Sequence, residues 1–442
     1  RAAWCCFFFL SPPPPPPRPM GSFSPNEPRH GPAAVLCRLR HASTLRDLSS
    51  ICTPSRPPQR VLATTQTPAA NTRRHHALRL RKSVQAELDQ FFALLSHTPG
   101  LLRHASAQAR AKLAPGALPA LNDHLLRQAE NAGLVPRWHG LRRIAVDGSY
   151  LQLGLRASHV PRAATADKLA MGFYLPDADL MLSASLHSTA ESERQALFEY
   201  LDRLGTGDLL LLDRGYPCRW RIAALQQRNI DFCMRVDTGS QGGFTAVRAF
   251  LQSDLPEQIV TLPAPDKRDV IDYRCPSGPL TVQLVRHVTP DGAVRVLMTC
   301  LMDTARFPAA LFGDLYHQRW SVEEAFKRLK HRLNIEQVTG LSHLAVHQDF
   351  AAKVLCDNLA AIAMQAARKT HAVPAHRRTN RAYACTAVTP LLPALLLGRA
   401  CSALLTDTLQ LIASQTYKHR PGLSKPRKPR QKPHRHMSFK PC

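Results

Sequence analysis

Three acidic residues in the sequence stand where a carboxylate needs a compensating partner. Asp147 interrupts the apolar stretch "IAVDGS", and Asp213 ends the leucine run in "DLLLLDRGYP". Glu323 lies in "YHQRWSVEEAFKRLK", residues 316–330, beside further polar residues at Tyr316, Arg319 and Lys330. A charge within an apolar segment is costly unless it is compensated, so these positions are the first candidates for a functional site. Each aspartate alone has the plainer interpretation of a capped or salt-bridged side chain.

Residues 316–330 have the pattern of one amphipathic helix. Each helical residue advances by about 100°, so the four polar positions fall within about 60° of one another. An apolar stripe lies about a quarter turn away and consists of Val322, Ala325, Phe326, Leu329 and Leu333. A polar stripe at that edge can be fixed by its neighbours and still reach a ligand. The competing interpretation is a solvated face with scattered ion pairs.

Three carboxylates on separate elements suit a hard divalent cation, because Mg²⁺ prefers oxygen ligands and tolerates few protein ones. Two such ions about 3.5 to 4 Å apart can activate water and stabilise a leaving oxygen, which is the chemistry of phosphodiester cleavage. Arg319 and Lys330 would then hold phosphates beside Glu323.

The elements that position these residues follow from the hydrophobic pattern. Strand patterns at "RRIAVDGSYLQL", "AMGFYL" and "DLMLSASL", the last two joined by the turn "PDAD", predict an antiparallel meander. A helix follows in "ESERQALFEYLDRL", with Ser188 and Glu191 in capping-box register. The leucine run before Asp213 is apolar at every position, which is typical of a central strand covered on both faces. Ligands gather at the ends of such strands.

The segments on either side of this region differ from it. Residues 83–140 predict a small helical bundle that starts with helical spacing over 84–95, and its basic residues suit either DNA contact or packing. Residues 1–82 are basic and proline-rich and are predicted to be disordered; their start ahead of Met20 indicates translation from upstream of the true start, or a signal peptide. The arm after Tyr417 has many cations and no acid, as expected for phosphate contact or a solubilising tail.

Composition narrows the class of protein. The 442 residues include 58 Lys plus Arg and 32 Asp plus Glu, a formal net charge of +26, and such an excess attracts polyanions, most simply nucleic acid. Binding to an anionic membrane or a ribosomal role would also explain the positive charge, but the chain is long for a ribosomal protein. No apolar run near the length of a membrane span is evident. The 12 cysteines are scattered, apart from Cys5-Cys6, and predict free thiols in a reducing cytoplasm.

The acidic motifs carry a resemblance to a known family. The spacing Tyr316-x2-Arg319-x3-Glu323-x6-Lys330 resembles the Tyr-Arg-Glu-Lys signature of DDE transposases of bacterial insertion sequences, within the insertion-sequence-four family. "AVDGS" resembles the first acidic motif of that family and "LLLLDRGYP" the second. The resemblance extends to "AQARAKL", "GLSHLAVHQDFAAKVLCDNLAAI" and "RTNRAYA".

The resemblance implies an α/β fold with an RNase H-like catalytic core in two parts, 141–235 and 303–370, followed by a C-terminal region, 371–442. It implies that Asp147, Asp213 and Glu323 are catalytic and hold two Mg²⁺ ions, or Mn²⁺ in their place. The partners would be the terminal inverted repeats and target DNA, bound by a homodimer in a bacterial cytoplasm. The residues assigned to DNA phosphate are Tyr316, Arg319, Lys330 and Arg214.

Family members interrupt the core with a mostly β insertion, expected here at 236–302. Strand patterns occur at "IVTL", "DVIDY", "LTVQLVRHV" and "VRVLMTCL", with "TPDG" as a hairpin turn between the last two. Some members pass through a DNA hairpin, in which a tryptophan of the insertion receives a flipped base. Residues 236–299 contain no tryptophan, so the candidates for such stacking are Phe244, Phe250 and Tyr273.

Overall fold

A computed structural model describes residues 85, 86, 89, 103–153, 167–239, 244–340, 342–396 and 402–418. The predicted segment 1–82, most of the helix predicted over 84–95, and the arm 419–442 lie outside the described residues. The chain divides into two compact units. One, the sheet unit, comprises Val135–Leu151 and Lys168–Lys330; the other, the helical unit, takes the residues before Val135, the segment Gln152–Asp167 and the chain from His331 onward.

Helices α1 (Arg103–Ala111) and α2 (Ala117–Asn131) lie ahead of the first strand. The strands of the main sheet are β1 (Arg142–Gln152), β2 (Asp167–Leu175), β3 (Leu180–Ser188), β4 (Asp208–Leu212), β5 (Asp231–Arg235), β6 (Glu257–Leu262), β7 (Leu280–Val288) and β8 (Val294–Thr299). The helices between and after these strands are α3 (Glu193–Tyr200), α4 (Arg219–Gln227), α5 (Thr245–Gln252), α6 (Lys267–Tyr273), α7 (Leu311–His317) and α8 (Ser321–His331).

The eight strands form one sheet in the order β3-β2-β1-β4-β5-β8-β7-β6. β4 is parallel to both β1 and β5. All five residues of β4 are buried, as the leucine run predicted for a central strand. The pairs β2–β3, β5–β8, β7–β8 and β6–β7 are antiparallel, so the hairpin predicted at "PDAD" is confirmed.

The two faces of the sheet pack against different helices. On one face, a Cβ at Gly172 would lie 2.8 Å from the ring of Phe326 on α8, so the glycine allows that helix to approach. On the other face, the rings of Phe173 and Tyr200 on α3 stack with centroids 3.7 Å apart. Neighbouring residues of a strand point to opposite faces, and β2 therefore has α8 on one side and α3 on the other.

The N-cap of helix α3 lies four residues after the predicted cap, Ser188. Ser192 is the N-cap, and its hydroxyl accepts a hydrogen bond from the Gln195 backbone N–H at 3.2 Å. The predicted contact between Ser188 N–H and Glu191 does form, at 3.0 Å, but it closes the turn ahead of the helix. The capping-box assignment was therefore wrong in position, because two serines compete for the role.

Strands β6, β7 and β8 extend the same sheet beyond β5. The turn predicted at "TPDG" is confirmed, with Gly292 at a φ of 79° between β7 and β8. The strand predicted at "DVIDY" is wrong, since these residues belong to α6. Val270 and Ile271 gave the strand signal, but Ile271 is 75% exposed, whereas Tyr273 stacks on Trp220 at 3.6 Å. Tertiary contacts here override local β propensity.

Residues 316–330 do not form the single helix that their pattern predicted. Helix α7 ends at His317, a 3₁₀ turn covers Gln318–Trp320, and α8 starts at Ser321. The Ser321 hydroxyl donates to the Gln318 carbonyl and so competes with the helical backbone ladder. This turn packs against β4, which brings Arg319 toward the end of that strand.

The helical unit continues with α9 (His343–Thr370), β9 (Arg377–Thr379), α10 (Arg381–Ala387), α11 (Leu391–Leu396), α12 (Ser402–Ser414) and β10 (Thr416–Lys418). Helix α9 packs against α2, α10 and α12. Within the described chain, α9 alone is long and apolar enough to cross a membrane, but 72% of its apolar window is buried inside the protein. That burial is typical of a core helix.

Candidate active site

Asp147 and Asp213 lie at equivalent places on two adjacent parallel strands. Ala145 of β1 pairs with Leu211 of β4, and each aspartate stands two residues beyond its member of that pair. Neighbouring strands are about 4.8 Å apart, so the two side chains emerge together at one end of the sheet. Leu211 belongs to the core cluster under α7, and by alternation Asp213 points to the same face.

Arg319 and Glu323 approach these aspartates from the start of α8. The Arg319 guanidinium donates from Nη2 to the Glu323 carboxylate, and its Nη1 lies 3.6 Å from Asp147 Oδ2. Arg319 is only 4% exposed, while the Glu323 side chain is 35% exposed. The 3₁₀ turn thus places a buried cation between two of the predicted acidic residues.

The arginine is not saturated by these contacts. Its Nε and Nη1 atoms are buried and make no hydrogen bond within the described structure. Burial alone would lower the pKa of Arg319, but the hydrogen bond to Glu323 and the nearby charges of Asp147 and Asp213 outweigh burial and raise it. The guanidinium therefore stays charged, and two of its buried nitrogen atoms have no acceptor within the described structure.

Asp147 is the acidic residue most strongly affected by its surroundings. Burial raises its pKa to about 7, while Arg319 and the Gly148 backbone N–H oppose the rise. The negative charges of Glu193 and Glu323 add to the increase. A carboxyl surrounded by like charges in a partly dry site is one that a cation would stabilise.

Glu193 is a fourth acidic residue of this region, and sequence reasoning missed it. It is the first residue of α3, and its Oε2 accepts a hydrogen bond from the Tyr216 hydroxyl at 3.2 Å. A Cβ at position 148 would lie 2.2 Å from Glu193 Oε1. Burial raises the pKa of Glu193, and Asp213 raises it further. The signal in the sequence was the glycine directly after Asp147, which leaves room for an approaching group.

The loop that carries Asp213 is held by two arginines from the helices beside it. Arg194 Nε donates to the Gly215 carbonyl at 2.6 Å, and Arg221 donates to the Tyr216 carbonyl. Arg221 is fully buried and its guanidinium lies 4.6 Å from the Trp220 ring centroid. Asp213 itself accepts from the Arg214 backbone N–H at 2.5 Å.

The residues predicted to contact phosphate occupy different environments. Tyr316 is 2% exposed and belongs to the core cluster, and burial raises its pKa. Lys330 is half-buried and donates to the Tyr150 carbonyl at 2.8 Å. Arg214 is exposed. The single polar stripe is therefore divided: Arg319 lies beside the carboxylates, Tyr316 supports the core, and Lys330 reaches the far end of β1.

The stacking residues considered for the insertion are also separated. Phe250 is fully buried, so its predicted role as a stacking partner for a base was wrong. One face of Tyr273 is covered by Trp220. Phe244 is half-buried at the start of α5.

The donor chemistry of the site fits a hard divalent cation. Asp147, Asp213, Glu323 and Glu193 all offer carboxylate oxygens, the ligands that Mg²⁺ prefers, and the Arg319 cation already bridges two of them. In the part of the chain that the structure describes, no three acidic, histidine or cysteine side chains form a ready metal-binding group. Some of these carboxylates would have to rotate to hold an ion together.

Comparison with known proteins identifies the family of the chain. The transposase DDE domain matches residues 138–359, which is 222 of the 442 residues, and the chain belongs to this family. The matched range contains all four acidic residues of the site. The membership predicted from the three motifs is therefore confirmed, and DDE transposases generally use divalent metal ions.

Similar proteins indicate which type of DDE transposase this chain resembles. The chain is 24% identical over 261 residues to the transposase InsG for insertion sequence element IS4 of Escherichia coli strain K12, a match that takes in 56% of this chain and 57% of that protein. The chain thus matches little more than half the length of this relative. The cryo-EM structure of the piggyBac transposase synaptic complex with hairpin DNA aligns over 90% of this chain and 88% of that one, at 10% identity and a TM-score of 0.37.

Proposed function

We propose that this protein is a DNA transposase that cleaves at the terminal inverted repeats of an insertion sequence and joins the freed ends to target DNA. The observation that carries the proposal is the meeting of Asp147, Asp213 and Glu323 around one buried arginine at the end of the central strands. Family membership supports the class of activity, and the net charge of +26 supports a polyanionic partner.

The strand order supports an RNase H-like catalytic core. The five strands β3-β2-β1-β4-β5, with β1, β4 and β5 parallel, form a continuous part of the sheet. Asp147 lies on β1 and Asp213 directly after β4, and α8 packs on the same face of this part. Strands β6–β8 then continue the sheet on the β5 side, as an insertion between the two halves of the core.

We assign the holding of divalent cations to Asp147, Asp213 and Glu323. Divalent ions, when bound, would supply the Lewis acidity that activates water and stabilises the leaving oxygen. The role of Arg319 is to bind the scissile phosphate through its unused donors. We assign Arg214, which is exposed, to contact with DNA phosphate. We assign Tyr316 to positioning the 3₁₀ turn and Lys330 to positioning the end of β1.

The test is incubation of the protein with DNA that carries the ends of its own element, with and without Mg²⁺. Cleavage and end joining that require Mg²⁺ are expected. Binding without any cleavage would identify instead an inactive, transposase-derived DNA-binding protein. Cleavage without joining would identify a metal-dependent nuclease. Sizing of the protein on paired DNA ends tests whether the active complex is a homodimer.

A further inference from the structure

Glu193 reaches the acidic site from the face of the sheet opposite to α8. Asp147 and Asp213 lie on the α8 side, where Arg319 and Glu323 approach them. The intervening residue Gly148 points the other way, because successive residues of a strand alternate. The Glu193 carboxylate lies where a side chain at position 148 would be, with Oε1 2.2 Å from the place of a Cβ. The glycine therefore leaves room for the Glu193 carboxylate at this end of the sheet.

The carboxylate is also held in place by the second acidic motif. The Tyr216 hydroxyl donates to Glu193 Oε2 at 3.2 Å, and the ring is 1% exposed. The neighbouring Arg194 donates a hydrogen bond from Nε to the Gly215 carbonyl at 2.6 Å. The first turn of α3 is therefore fastened to the loop after β4. One oxygen of Glu193 is bonded to the protein, while the other lies over Gly148, beside Asp147.

We infer that Glu193 is a fourth acidic residue of the active site, which holds a divalent cation together with Asp147 and Asp213. This inference rests on the proposed function. It gives Gly148 and Tyr216 defined tasks: the glycine makes space for the carboxylate, and the tyrosine orients it. A purely structural glutamate would need neither the vacant position nor the proximity to two other carboxylates, since that proximity costs stability.

The decisive variant is Glu193→Gln, which keeps the size of the side chain and an acceptor for Tyr216 but removes the charge. We expect the dissociation constant for Mn²⁺, measured by calorimetry on the full chain without DNA, to rise about 10- to 100-fold. Glu199→Gln is the matched control, because Glu199 is an exposed carboxylate on the same helix. Its Mn²⁺ affinity should equal that of the wild type.

Two further variants test the tasks assigned to Gly148 and Tyr216. Gly148→Ala forces the Glu193 carboxylate aside and should weaken Mn²⁺ binding as Glu193→Gln does. Tyr216→Phe removes only the orienting hydroxyl and should weaken binding less. The melting temperature of Glu193→Gln in EDTA should be at or above that of the wild type, because a charge beside other carboxylates has been removed; a lower melting temperature would point to a structural glutamate.

The control that separates this inference from the proposed function is Asp147→Asn. Suppose that Asp147→Asn loses Mn²⁺ binding while Glu193→Gln binds Mn²⁺ as the wild type does. The inference about Glu193 is then overturned, and the proposed triad of Asp147, Asp213 and Glu323 stands. If the wild type binds no Mn²⁺ and cleaves no DNA, the proposed function fails and the inference fails with it.

Discussion

Each of the two units of the protein pairs an arginine with carboxylates, but the pairings differ in how well their polar atoms are satisfied. In the helical unit, Arg110 of α1 donates to Gln348, to Asp349 at 3.0 Å and to other oxygens of α9 and the loop before it. In the sheet unit, Arg319 donates to Glu323, faces Asp147 at 3.6 Å and keeps two nitrogen atoms without a hydrogen bond.

The difference separates an ion pair whose polar atoms are well satisfied from one that keeps nitrogen atoms without a hydrogen bond. Asp349 also accepts from the Thr339 backbone N–H at 2.6 Å, so the pair joins helices with its polar atoms well satisfied. Such saturation is what a buried pair needs in order to repay its desolvation. The site around Arg319 keeps unused donors and a carboxyl with a raised pKa, which are costs to the folded state that a ligand can remove.

The largest effect is expected when the acidic site loses one of the carboxylates that we propose as ligands for a cation. Asp213→Asn, Asp147→Asn and Glu323→Gln should each reduce DNA strand cleavage to background while DNA binding persists, since loss of a negative charge does not weaken attraction to phosphate. Gel assays of cleavage and of end binding on the same preparations measure both. Cleavage retained by any one variant removes that residue from the triad.

Breaking the saturated pair should act on stability. Arg110→Ala leaves Asp349 buried without its cation, and we expect a loss of about 3 to 5 kcal/mol in the free energy of unfolding, measured by urea denaturation. Arg368→Ala on α9 is the control, because Arg368 is exposed and its removal should change stability by less than about 0.5 kcal/mol. Equal losses in both variants would contradict the structural role of Arg110.

Arg319→Ala should act mainly on chemistry. Loss of a preorganised charge beside the reacting group is expected to raise the barrier to cleavage by about 2.7 to 4 kcal/mol. Its effect on stability should be smaller than that of Arg110→Ala, because Asp147 can take up a proton near neutral pH.

Two lysines of α8 provide a graded comparison for this prediction. Lys327 bonds to Glu324 at 2.6 Å, so Lys327→Ala should leave the cleavage rate nearly unchanged, with Lys330→Ala between the two. Arg328 of the same helix is a poorer control, because it lies 3.4 Å from Asp179. A flat series in cleavage rates would refute the active-site role of Arg319.

A further effect is expected in the pH dependence of stability without divalent ions. The pKa of Asp147 rises from 3.8 to about 7 on folding, so between these values the folded state holds a proton that the unfolded chain has lost. The stability that this bound proton contributes is therefore fully present below the pKa of the unfolded state. It is lost as the pH rises through the pKa of the folded state. In EDTA, Asp147→Asn should be more stable than the wild type at about pH 8, and the difference should vanish toward about pH 4. A difference independent of pH would contradict the raised pKa.

The sequence predicts a site residue best where its polarity conflicts with that of its neighbours in the chain. Asp147 and Asp213 each interrupt or end an apolar strand, and that conflict is visible in the letters. Glu193 gives no such signal, because an acid in the first turn of a helix is already favoured by the helix dipole. Its role depends on a space at Gly148, 45 positions earlier, which only the fold brings near.

The local errors have a similar origin. The break between α7 and α8 preserves the spacing of the apolar residues, so the periodicity of residues 316–330 cannot reveal it. Val270 and Ile271 carry β propensity, but the stacking of Tyr273 on Trp220 decides the conformation. In the first case the local bond from the Ser321 hydroxyl to the Gln318 carbonyl interrupts the pattern, and in the second a contact from another element overrides it.

The parallel register of β1 and β4 makes the length of the leucine run itself significant. Because side chains alternate between faces, one residue added to or deleted from Leu209–Leu212 would turn Asp213 away from Arg319 and toward the side of α3. The run would remain equally apolar and could still form a strand. The number of residues in β4 therefore fixes the face to which Asp213 points. Replacement of one of these leucines by another apolar residue should be tolerated far better than an insertion or a deletion.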